Sequence, residues 1–422
     1  MILRSKEGLS REEIRKALIE SLPGDLPKKA LLLPPDYTRL YSGAGLICAE
    51  YYSWLESQGV ECWVMPALGT HVPMTEAEVE DFFLGVVPMD RIIVHRWRDD
   101  VVKLGEVPAE FVKEVSEGLV DTPIEVEVNK HIVSGEYGLI ISMGQVVPHE
   151  VVGMANYSKN IFVGCGGASM INSSHMLGAF YGLERIMGRD FSPVRKVFDY
   201  AETHFISDLP VLYVLTTTTN VGDDVFIHGL YIGRGREYFE AAVKDSQGYN
   251  LIALDEPIKK AVVFLDPREF KSTWLGNKAV YRTRMAIADD GELIVLAPGV
   301  IKFGEDDEND RLIRKYGYVG RENVLDLVKD ENNADLLANM SVAAHLIHGS
   351  SDGRFNITYC TKPENLTEEA VRGVSFGWMD YEETIKKYDP SKLKIGYNEV
   401  DGERIYYIPN PALGLWSLKN QN

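Results

Sequence analysis

The sequence predicts an α/β protein of two domains, each built around a mainly parallel sheet with flanking helices. The chain has 422 residues, which is more than one domain of ordinary size requires. Short apolar runs alternate with amphipathic stretches, a pattern typical of parallel strands covered by helices on both faces. The pattern stops at an Asp-Glu-Pro segment, residues 255–257, and then begins again. We therefore expect domains of residues 1–256 and 257–422, and the last residues could pack back on the first domain.

Capping boxes and apolar runs predict the elements of the first domain. Ser10 with Glu13 predicts a helix through about Leu22, and Thr75 with Glu78 predicts the start of another. The remaining expected elements are a helix over residues 43–58 and strands over residues 29–33, 61–67, 91–95 and 137–143.

The second domain shows the same alternation. Expected strands cover residues 261–265, 292–297 and 355–360, and expected helices cover residues 275–288, 321–329 and 334–347. The acidic run 305–310 indicates either a solvated loop or a helix start.

Charge and composition restrict the possible partners. The chain has 44 Lys and Arg against 63 Asp and Glu, a formal net charge of −19. A coat of that sign repels phosphate backbones and anionic lipids, so we expect neither nucleic-acid nor membrane binding. The four cysteines are widely spaced, and the N-terminus does not have the pattern of a signal peptide. A cytoplasmic protein with a small anionic ligand is the simplest expectation.

Ionisable residues are concentrated in three loops, each directly after a predicted strand. These loops are residues 36–39 (Asp-Tyr-Thr-Arg), 69–71 (Gly-Thr-His) and 145–149 (Gln-Val-Val-Pro-His). Ligands of open parallel sheets bind at the carboxyl ends of the strands, so these loops are the expected site.

Each of these residues has an ordinary and a functional interpretation. Asp36 and Arg39 could form an ion pair in a turn, or Arg39 could bind a carboxylate or phosphate. His71 and His149 could be hydrogen-bonded loop residues, or they could face each other as an acid/base pair.

A lysine and a histidine follow in a stretch of small residues. Lys159 would ordinarily be a surface cation and His175 a core or capping residue. The segment 164–169, Gly-Cys-Gly-Gly-Ala-Ser, lacks the third glycine of a dinucleotide loop and is a weak signal for one.

Taken together, these motifs resemble the nickel-dependent lactate racemase family over nearly the whole chain. The family has an Asp-x-Thr-Arg turn, a Gly-x-His loop and a Pro-His segment. A lysine follows that histidine by ten positions, and another histidine follows the lysine by sixteen. Residues 36–39, 69–71, His149, Lys159 and His175 match this order and spacing.

The resemblance implies a cofactor and a role for each matching residue. The cofactor would be a nickel complex of pyridinium-3,5-bisthiocarboxylate mononucleotide, attached through Lys159, with His175 as a nickel ligand. His71 and His149 would be the acid/base pair that serves hydride transfer at the substrate carbon. The cofactor phosphate or the substrate carboxylate would be held by Asp36, Tyr37, Thr38 and Arg39. The active site would lie in the cleft between the domains, with the C-terminal domain closing over the substrate, and maturation enzymes would supply the cofactor.

The substrate-binding segment departs from the family pattern. Relatives that act on lactate have Tyr-Gln-x-x-Lys where this chain keeps Tyr281 but has Arg282 and Met285. Val72 stands where relatives often have Arg. We therefore expect Arg39, Tyr281 and Arg282 to bind a 2-hydroxy acid other than lactate, such as a dicarboxylic hydroxy acid or a sugar acid. Alternatively, Arg282 and Arg284 are exposed helix cations.

Two other functions remain open. His71, His149 and His175 could form the zinc site of a hydrolase, or the chain could be a non-catalytic carrier of the nickel cofactor. A carrier would not need the two histidines of an acid/base pair. A further pair, His345 and His348, has helical spacing but little else in favour of metal binding.

Overall fold

Two six-stranded sheets, one in each of two units, organise the part of the chain that this computed structural model describes, residues 1–419. The N-terminal unit is Met1–Asn250, and the C-terminal unit starts at Leu251. Within the described residues, no helix combines the length and the apolar character needed to cross a membrane.

The N-terminal unit contains ten strands and eight α-helices among its described residues. The strands are β1 (Ile2–Arg4), β2 (Lys29–Leu33), β3 (Glu61–Val64), β4 (Val101–Val107), β5 (Ile124–Asn129), β6 (Leu139–Gln145), β7 (Pro148–His149), β8 (Gly153–Met154), β9 (Val211–Val221) and β10 (Asp224–Gly233). The helices are α1 (Arg11–Glu20), α2 (Ala44–Ser57), α3 (Glu76–Phe82), α4 (Ala109–Val115), α5 (Ala168–Tyr181), α6 (Leu183–Ile186), α7 (Pro193–Phe205) and α8 (Arg236–Asn250). The 3₁₀ segments Tyr37–Ser42 and Met89–Arg91 and a π-helix, Asn160–Gly164, complete the unit.

Its large sheet has the strand order β1-β10-β9-β6-β2-β3. The pairs β9–β6, β6–β2 and β2–β3 are parallel, whereas β10 pairs antiparallel with both β9 and β1. In β2, Leu31 and Leu33 pack into the core on one face, and Ala30 and Leu32 pack into the core on the other. Both faces of the strand are covered, and it is apolar from Ala30 to Leu33, as expected for a strand buried on both sides.

Both predicted capping boxes are present. The Ser10 hydroxyl accepts from the Glu13 N–H at the start of α1, and Thr75 and Glu78 form the same motif at the start of α3. Each box satisfies two backbone N–H groups that a helix leaves without intrahelical partners.

The predicted strand over residues 91–95 is wrong. Met89–Arg91 is a 3₁₀ segment, and Ile92 makes only an isolated bridge to Val64. Because β3 ends at Val64, the segment that follows Ile92 has no strand edge to pair with.

The C-terminal unit contains the strands β11 (Leu251–Leu254), β12 (Ile258–Phe264), β13 (Ile287–Leu296), β14 (Phe355–Thr361), β15 (Gly377–Asp380), β16 (Gly396–Val400), β17 (Glu403–Ile408) and β18 (Leu415–Leu418). The unit has six of these strands in a second large sheet of order β15-β14-β13-β12-β17-β16, parallel except for the pair β16–β17. Its helices are α9 (Thr273–Gly276), α10 (Lys278–Tyr281), α11 (Asp307–Tyr316), α12 (Arg321–Leu327), α13 (Ala334–Leu337), α14 (Met340–His348), α15 (Glu368–Gly373) and α16 (Tyr381–Lys387), with a 3₁₀ segment Glu331–Asn333.

Two helices predicted for this unit are interrupted at buried asparagines. Residues 275–288 form α9, α10 and the start of β13, because the side chain of Asn277 between the helices accepts a hydrogen bond from the Tyr359 hydroxyl (2.7 Å). Residues 334–347 divide at Asn339, whose amide donates to Asn309 (2.8 Å). Asparagine side chains that bond elsewhere favour helix ends over helix interiors. The acidic run 305–310 is a helix start, since Asp306 caps α11.

A buried histidine anchors the segment after the π-helix. Nε2 of His95 donates to the Gly166 carbonyl (3.0 Å), and its Nδ1 accepts from the Asn129 amide (2.9 Å). Burial lowers the pKa of His95 to about 4, although Gly166 and Asp100 oppose the change. The folded protein therefore holds this imidazole neutral at pH 5, whereas the unfolded chain protonates it.

We predict that His95→Gln weakens the dependence of stability on acidic pH. Below the ordinary histidine pKa of about 6.5, His95 binds a proton in the unfolded chain, whereas in the folded protein it stays neutral until the pH falls to about 4. From pH 7 to pH 5, His95 should therefore reduce the free energy of unfolding by about 2 kcal/mol. The variant should be less stable than wild type at pH 7 but should lose about that much less on acidification, measured by urea unfolding at both pH values.

His204→Gln is the matched control, because His204 is an exposed histidine on α7. It should keep the wild-type pH dependence. Equal slopes for wild type and His95→Gln would contradict the prediction.

Candidate active site

The three loops singled out in the sequence lie at one edge of the N-terminal sheet. They follow β2, β3 and β6, which are neighbours in the parallel part of the sheet, so their carboxyl ends are adjacent. Asp36 lies in the loop after β2, His71 lies in the loop after β3, and His149 lies in β7 just beyond β6. The topology thus gathers residues that are far apart in the chain.

Asp36 joins two of these loops. Its Oδ1 accepts from the N–H (3.1 Å) and the hydroxyl (2.5 Å) of Thr38, which caps the 3₁₀ segment Tyr37–Ser42. Its Oδ2 lies 2.6 Å from Nδ1 of His71. Burial alone would raise the pKa of Asp36, but His71, Arg39 and Thr38 together lower it to about 2. The carboxylate is therefore ionised at neutral pH.

The Asp36 carboxylate sets the tautomer of His71. Because an ionised carboxylate can only accept, the short contact places a proton on Nδ1 of His71. In the neutral ring, Nε2 then carries the lone pair and can accept a proton from a ligand. The loop itself is held by the Gly69 N–H, which donates to the Gly164 carbonyl (2.8 Å).

His149 has the opposite arrangement. Its buried ring accepts the Val151 N–H at Nδ1 (3.2 Å), so in the neutral ring Nε2 carries the proton. Glu150 Oε2 lies 3.5 Å from the same Nδ1 and is the acceptor available to it when that nitrogen is protonated. In this state His71 presents a proton acceptor and His149 a hydrogen-bond donor.

Lys159 follows a strained turn. Asn156 (φ 66°) and Tyr157 (φ 58°) are both in the left-handed region, which costs a non-glycine residue roughly 1–3 kcal/mol. Burial first, then Arg39, lowers the pKa of Lys159 to about 8, while Glu150 and Asp36 oppose the change. A substantial fraction of this amine is therefore neutral, and nucleophilic, slightly above neutral pH.

His175 is oriented by its own helix. Its Nδ1 donates to the carbonyl of Ile171 (2.7 Å), one turn earlier in α5, so Nε2 carries a lone pair. Burial lowers the pKa of His175 to about 4, with Lys159 acting in the same direction. The residue is thus a neutral imidazole with one free nitrogen, the form that binds metals.

The glycine-rich segment after the π-helix owes its composition to close packing. A Cβ on Gly166 would lie 1.8 Å from the Phe162 carbonyl oxygen, and one on Gly167 would lie 2.3 Å from a Glu127 carboxylate oxygen. These contacts account for the glycines without a dinucleotide, in agreement with the weak motif.

In the predicted anion-binding turn, some side chains are hydrogen-bonded within the fold and one is placed to bind an anion. Tyr37 donates its hydroxyl to Asp81 (2.6 Å), and Thr38 bonds to Asp36. The Arg39 guanidinium donates only to the carbonyl and hydroxyl of Thr38 within the described chain and forms no ion pair there. Arg39 is therefore the cation of this turn that can bind a carboxylate or phosphate.

Residues 1–419 contain no group of three or more His, Cys, Asp or Glu side chains arranged to hold a metal ion. His71, His149 and His175, the ligands of the zinc-hydrolase alternative, do not form such a group within these residues. The pair His345 and His348 is buried, and His345 bonds to the Tyr318 hydroxyl (2.9 Å).

In the C-terminal unit, the predicted substrate-binding residues are buried. Arg282 is 2% exposed and donates to the Gly414 carbonyl (3.1 Å). Arg284 is 3% exposed and pairs with Asp352 (2.7 Å). The alternative that these arginines are exposed helix cations is wrong. Tyr281 is also buried, and Met285 is partly exposed.

Sequence analysis did not identify one residue next to the site. Arg195, in α7, is fully buried and donates to the Ser158 hydroxyl (2.8 Å), directly before Lys159. A single arginine in an amphipathic helix carries no motif, so only its tertiary contacts reveal it.

Comparisons with known proteins identify a family model that matches part of the N-terminal unit. Residues 26–185 match the family model described as the lactate racemase N-terminal domain, a range that includes every predicted site residue from Asp36 to His175. The resemblance inferred from the motifs is thereby confirmed over residues 26–185. No curated protein matches the chain.

Two solved structures share the fold. A crystal structure of a Thermotoga maritima protein has a TM-score of 0.82 and 24% identity, covering 99% of this chain and 100% of its own. The lactate racemase apoprotein from Thermoanaerobacterium thermosaccharolyticum has a TM-score of 0.65 and 17% identity, covering 97% of this chain and 93% of its own. The predicted α/β fold class, with mainly parallel sheets and flanking helices, is confirmed.

We predict that Asp36→Asn reverses the tautomer of His71. The asparagine amide would donate to Nδ1, leaving the proton on Nε2 and removing the lone pair that the site presents. Nitrogen-15 chemical shifts of histidine-labelled apoprotein, with the His71 signals assigned by substitution, should show protonated Nδ1 in wild type and protonated Nε2 in the variant.

Asp81→Asn is the control, since Asp81 bonds to Tyr37 in the same region and has no hydrogen bond to His71. It should keep the wild-type tautomer. A His71 ring with protonated Nε2 in wild type would refute the assignment.

Proposed function

We propose that this chain, whose N-terminal unit belongs to the lactate racemase family, is a racemase or 2-epimerase of 2-hydroxy acids. The observation that carries the proposal is a pair of histidines with complementary ring nitrogens at the same edge of the sheet. His71 lies in the loop after β3 and His149 lies beyond β6, on either side of β2. The Asp36 carboxylate holds His71 in the tautomer with a lone pair on Nε2, whereas the neutral ring of His149 carries its proton on Nε2. A reaction that inverts a carbon bearing a hydroxyl needs one group to take the hydroxyl proton and another to return it from the other side.

The residues present fit the nickel pincer nucleotide of the family. Lys159 supplies an amine whose pKa of about 8 favours covalent attachment, and His175 supplies a neutral imidazole, a ligand suited to nickel. Arg39 would hold the phosphate of the nucleotide or the carboxylate of the substrate. When bound, this cofactor supplies an electron-poor centre that takes hydride from the substrate carbon and returns it, chemistry that no side chain provides.

The side chains then manage the proton. Nε2 of His71 takes the hydroxyl proton of one enantiomer, and the Asp36 carboxylate stabilises the imidazolium that forms. The Nε2–H group of His149 donates a hydrogen bond to the same oxygen. For the other enantiomer His149 must act as the base, which requires its Nδ1 proton to face Glu150.

The substrate we propose is a dicarboxylic hydroxy acid or a sugar acid rather than lactate. The chain has Arg282 and Met285 where lactate-specific relatives have Gln and Lys, and Val72 replaces an arginine near His71. Moving a cation within the substrate-binding segment changes which anionic or hydroxyl groups the site recognises. A panel of enantiopure 2-hydroxy acids and aldonic acids, assayed by chiral chromatography, identifies the substrate.

We predict that the two histidines are essential for turnover but not for cofactor attachment. Protein co-expressed with the cofactor-making enzymes should gain mass on Lys159, and Lys159→Ala should lose that mass. His71→Ala and His149→Ala should keep the added mass but lose interconversion by roughly 10²–10⁴-fold, the usual contribution of general acid–base catalysis.

His204→Ala, an exposed histidine substitution, should retain both the mass and the activity. Variants lacking His71 or His149 that racemise as fast as the parent would disprove the proposal. A loaded wild-type protein that converts no member of the panel would instead indicate a cofactor carrier.

A further inference from the structure

We propose that Arg195 is a positioning residue for Lys159, holding residues 154–158 in the turn that presents the lysine amine to the site. The inference rests on the proposed role of Lys159 as the attachment point, and it extends that role to a residue outside the family motif.

The contacts of Arg195 converge on the segment before Lys159. Nη1 donates to the Ser158 hydroxyl (2.8 Å), and Nη2 donates to the carbonyls of Met154 (2.7 Å) and Asn156 (3.1 Å). The planar guanidinium can serve three acceptors in fixed directions at once, which a lysine ammonium or a neutral side chain cannot reproduce.

The segment needs such a restraint. Asn156 and Tyr157 are consecutive non-glycine residues with positive φ, a conformation that persists only when its surroundings enforce it. Other contacts contribute: the Asn156 side chain accepts the Tyr157 N–H (2.8 Å), and the Tyr157 ring stacks on Phe239. Arg195 contacts both ends of this turn.

The start of α7 is joined to the same segment. The Ser192 hydroxyl donates to the Val152 carbonyl (2.8 Å) and accepts the Arg195 N–H (3.0 Å) as the helix cap. The backbone that carries Arg195 is therefore fixed against the chain that it clamps. On the other side of Lys159, the Asn160 amide donates to the Leu33 carbonyl (3.0 Å) at the end of β2.

The hydrogen-bond acceptors of the buried Arg195 guanidinium are unusual for a charged group. Arg195 is fully buried, and all of its hydrogen-bond acceptors within residues 1–419 are neutral. The nearby carboxylates of Asp190 and Asp199 instead accept from Arg236. Burying a guanidinium without a hydrogen-bonded carboxylate is costly, so a hydrophobic side chain would be the more stable choice if packing were its only role. Arg195 also acts on the Lys159 amine through its charge, which helps to keep that amine neutral.

The test is the reactivity of Lys159 in the apoprotein, without nickel or substrate. The probe is an acetyl ester of N-hydroxysuccinimide, which acylates neutral amines, and labelling at Lys159 is followed by peptide mass spectrometry from pH 6 to pH 10. Wild type should label with a midpoint near pH 8. In Arg195→Gln the midpoint should rise, because a cation that lowers the pKa of Lys159 is removed, and with the turn loosened the labelling rate at pH 7 should fall by more than about threefold. Arg195→Lys keeps the charge and should restore much of the midpoint but not the full labelling rate.

Arg236→Gln is the matched control, because it removes a neighbouring cation from the same acidic pair without a hydrogen bond to residues 154–158. It should leave the labelling of Lys159 within about twofold of wild type. Folded Arg195→Gln with wild-type rate and midpoint would overturn the proposal.

If Arg195→Gln does not fold, Ser158→Ala decides, since it removes one acceptor and leaves Arg195 in place. A smaller change in the same direction supports the clamp, and unchanged labelling overturns it. Because the assay uses no cofactor, a failure of racemase activity would not affect its outcome, and loss of the clamp would leave the proposed reaction standing.

Discussion

The parallel pairing of β6, β2 and β3 is the constraint on which the site depends. Parallel strands cannot be joined by hairpins, so each is followed by a long connection that starts at the same edge of the sheet. This topology brings together three residues that span more than a hundred positions of the chain. They are Asp36, His71 and His149, which follow the neighbouring strands β2, β3 and β6. β6 is buried along its whole length and β2 from Ala30 to Leu33, so packing on both faces of the sheet holds these strands in place.

Charge balance is the second determinant of the site. Burial lowers the pKa of the Lys159 amine most, the charges of Arg39 and Arg195 lower it further, and Glu150 and Asp36 oppose the change. Asp36 stays ionised because it is hydrogen-bonded on both oxygens. Lys159 instead tends to lose its proton. The same burial thus produces a fixed anion and a reactive amine, since the two groups differ in how well their charged forms are hydrogen-bonded.

The sequence predicted helices and strands correctly where residues close together in the chain determine the local conformation. The capping boxes at Ser10 and Thr75 are such cases, because both partners lie within four residues. The predictions of long helices over 275–288 and 334–347 were wrong because buried asparagines within these ranges form hydrogen bonds with distant side chains. Likewise, the alternative that Arg282 and Arg284 are surface cations was wrong, because in the tertiary structure they are buried beside Gly414 and Asp352.

The sequence by itself determined the fold class, the order of the site residues and the family resemblance, because apolar periodicity and motif spacing are written in the chain. Only the tertiary structure decided the chemical state of those residues. The tautomers of His71 and His149 depend on which group faces Nδ1, and the reactivity of Lys159 depends on burial and neighbouring charges. Arg195 shows the same limit most clearly. No local sequence motif indicates a role for it, because that role depends on contacts with a segment about forty residues earlier in the chain.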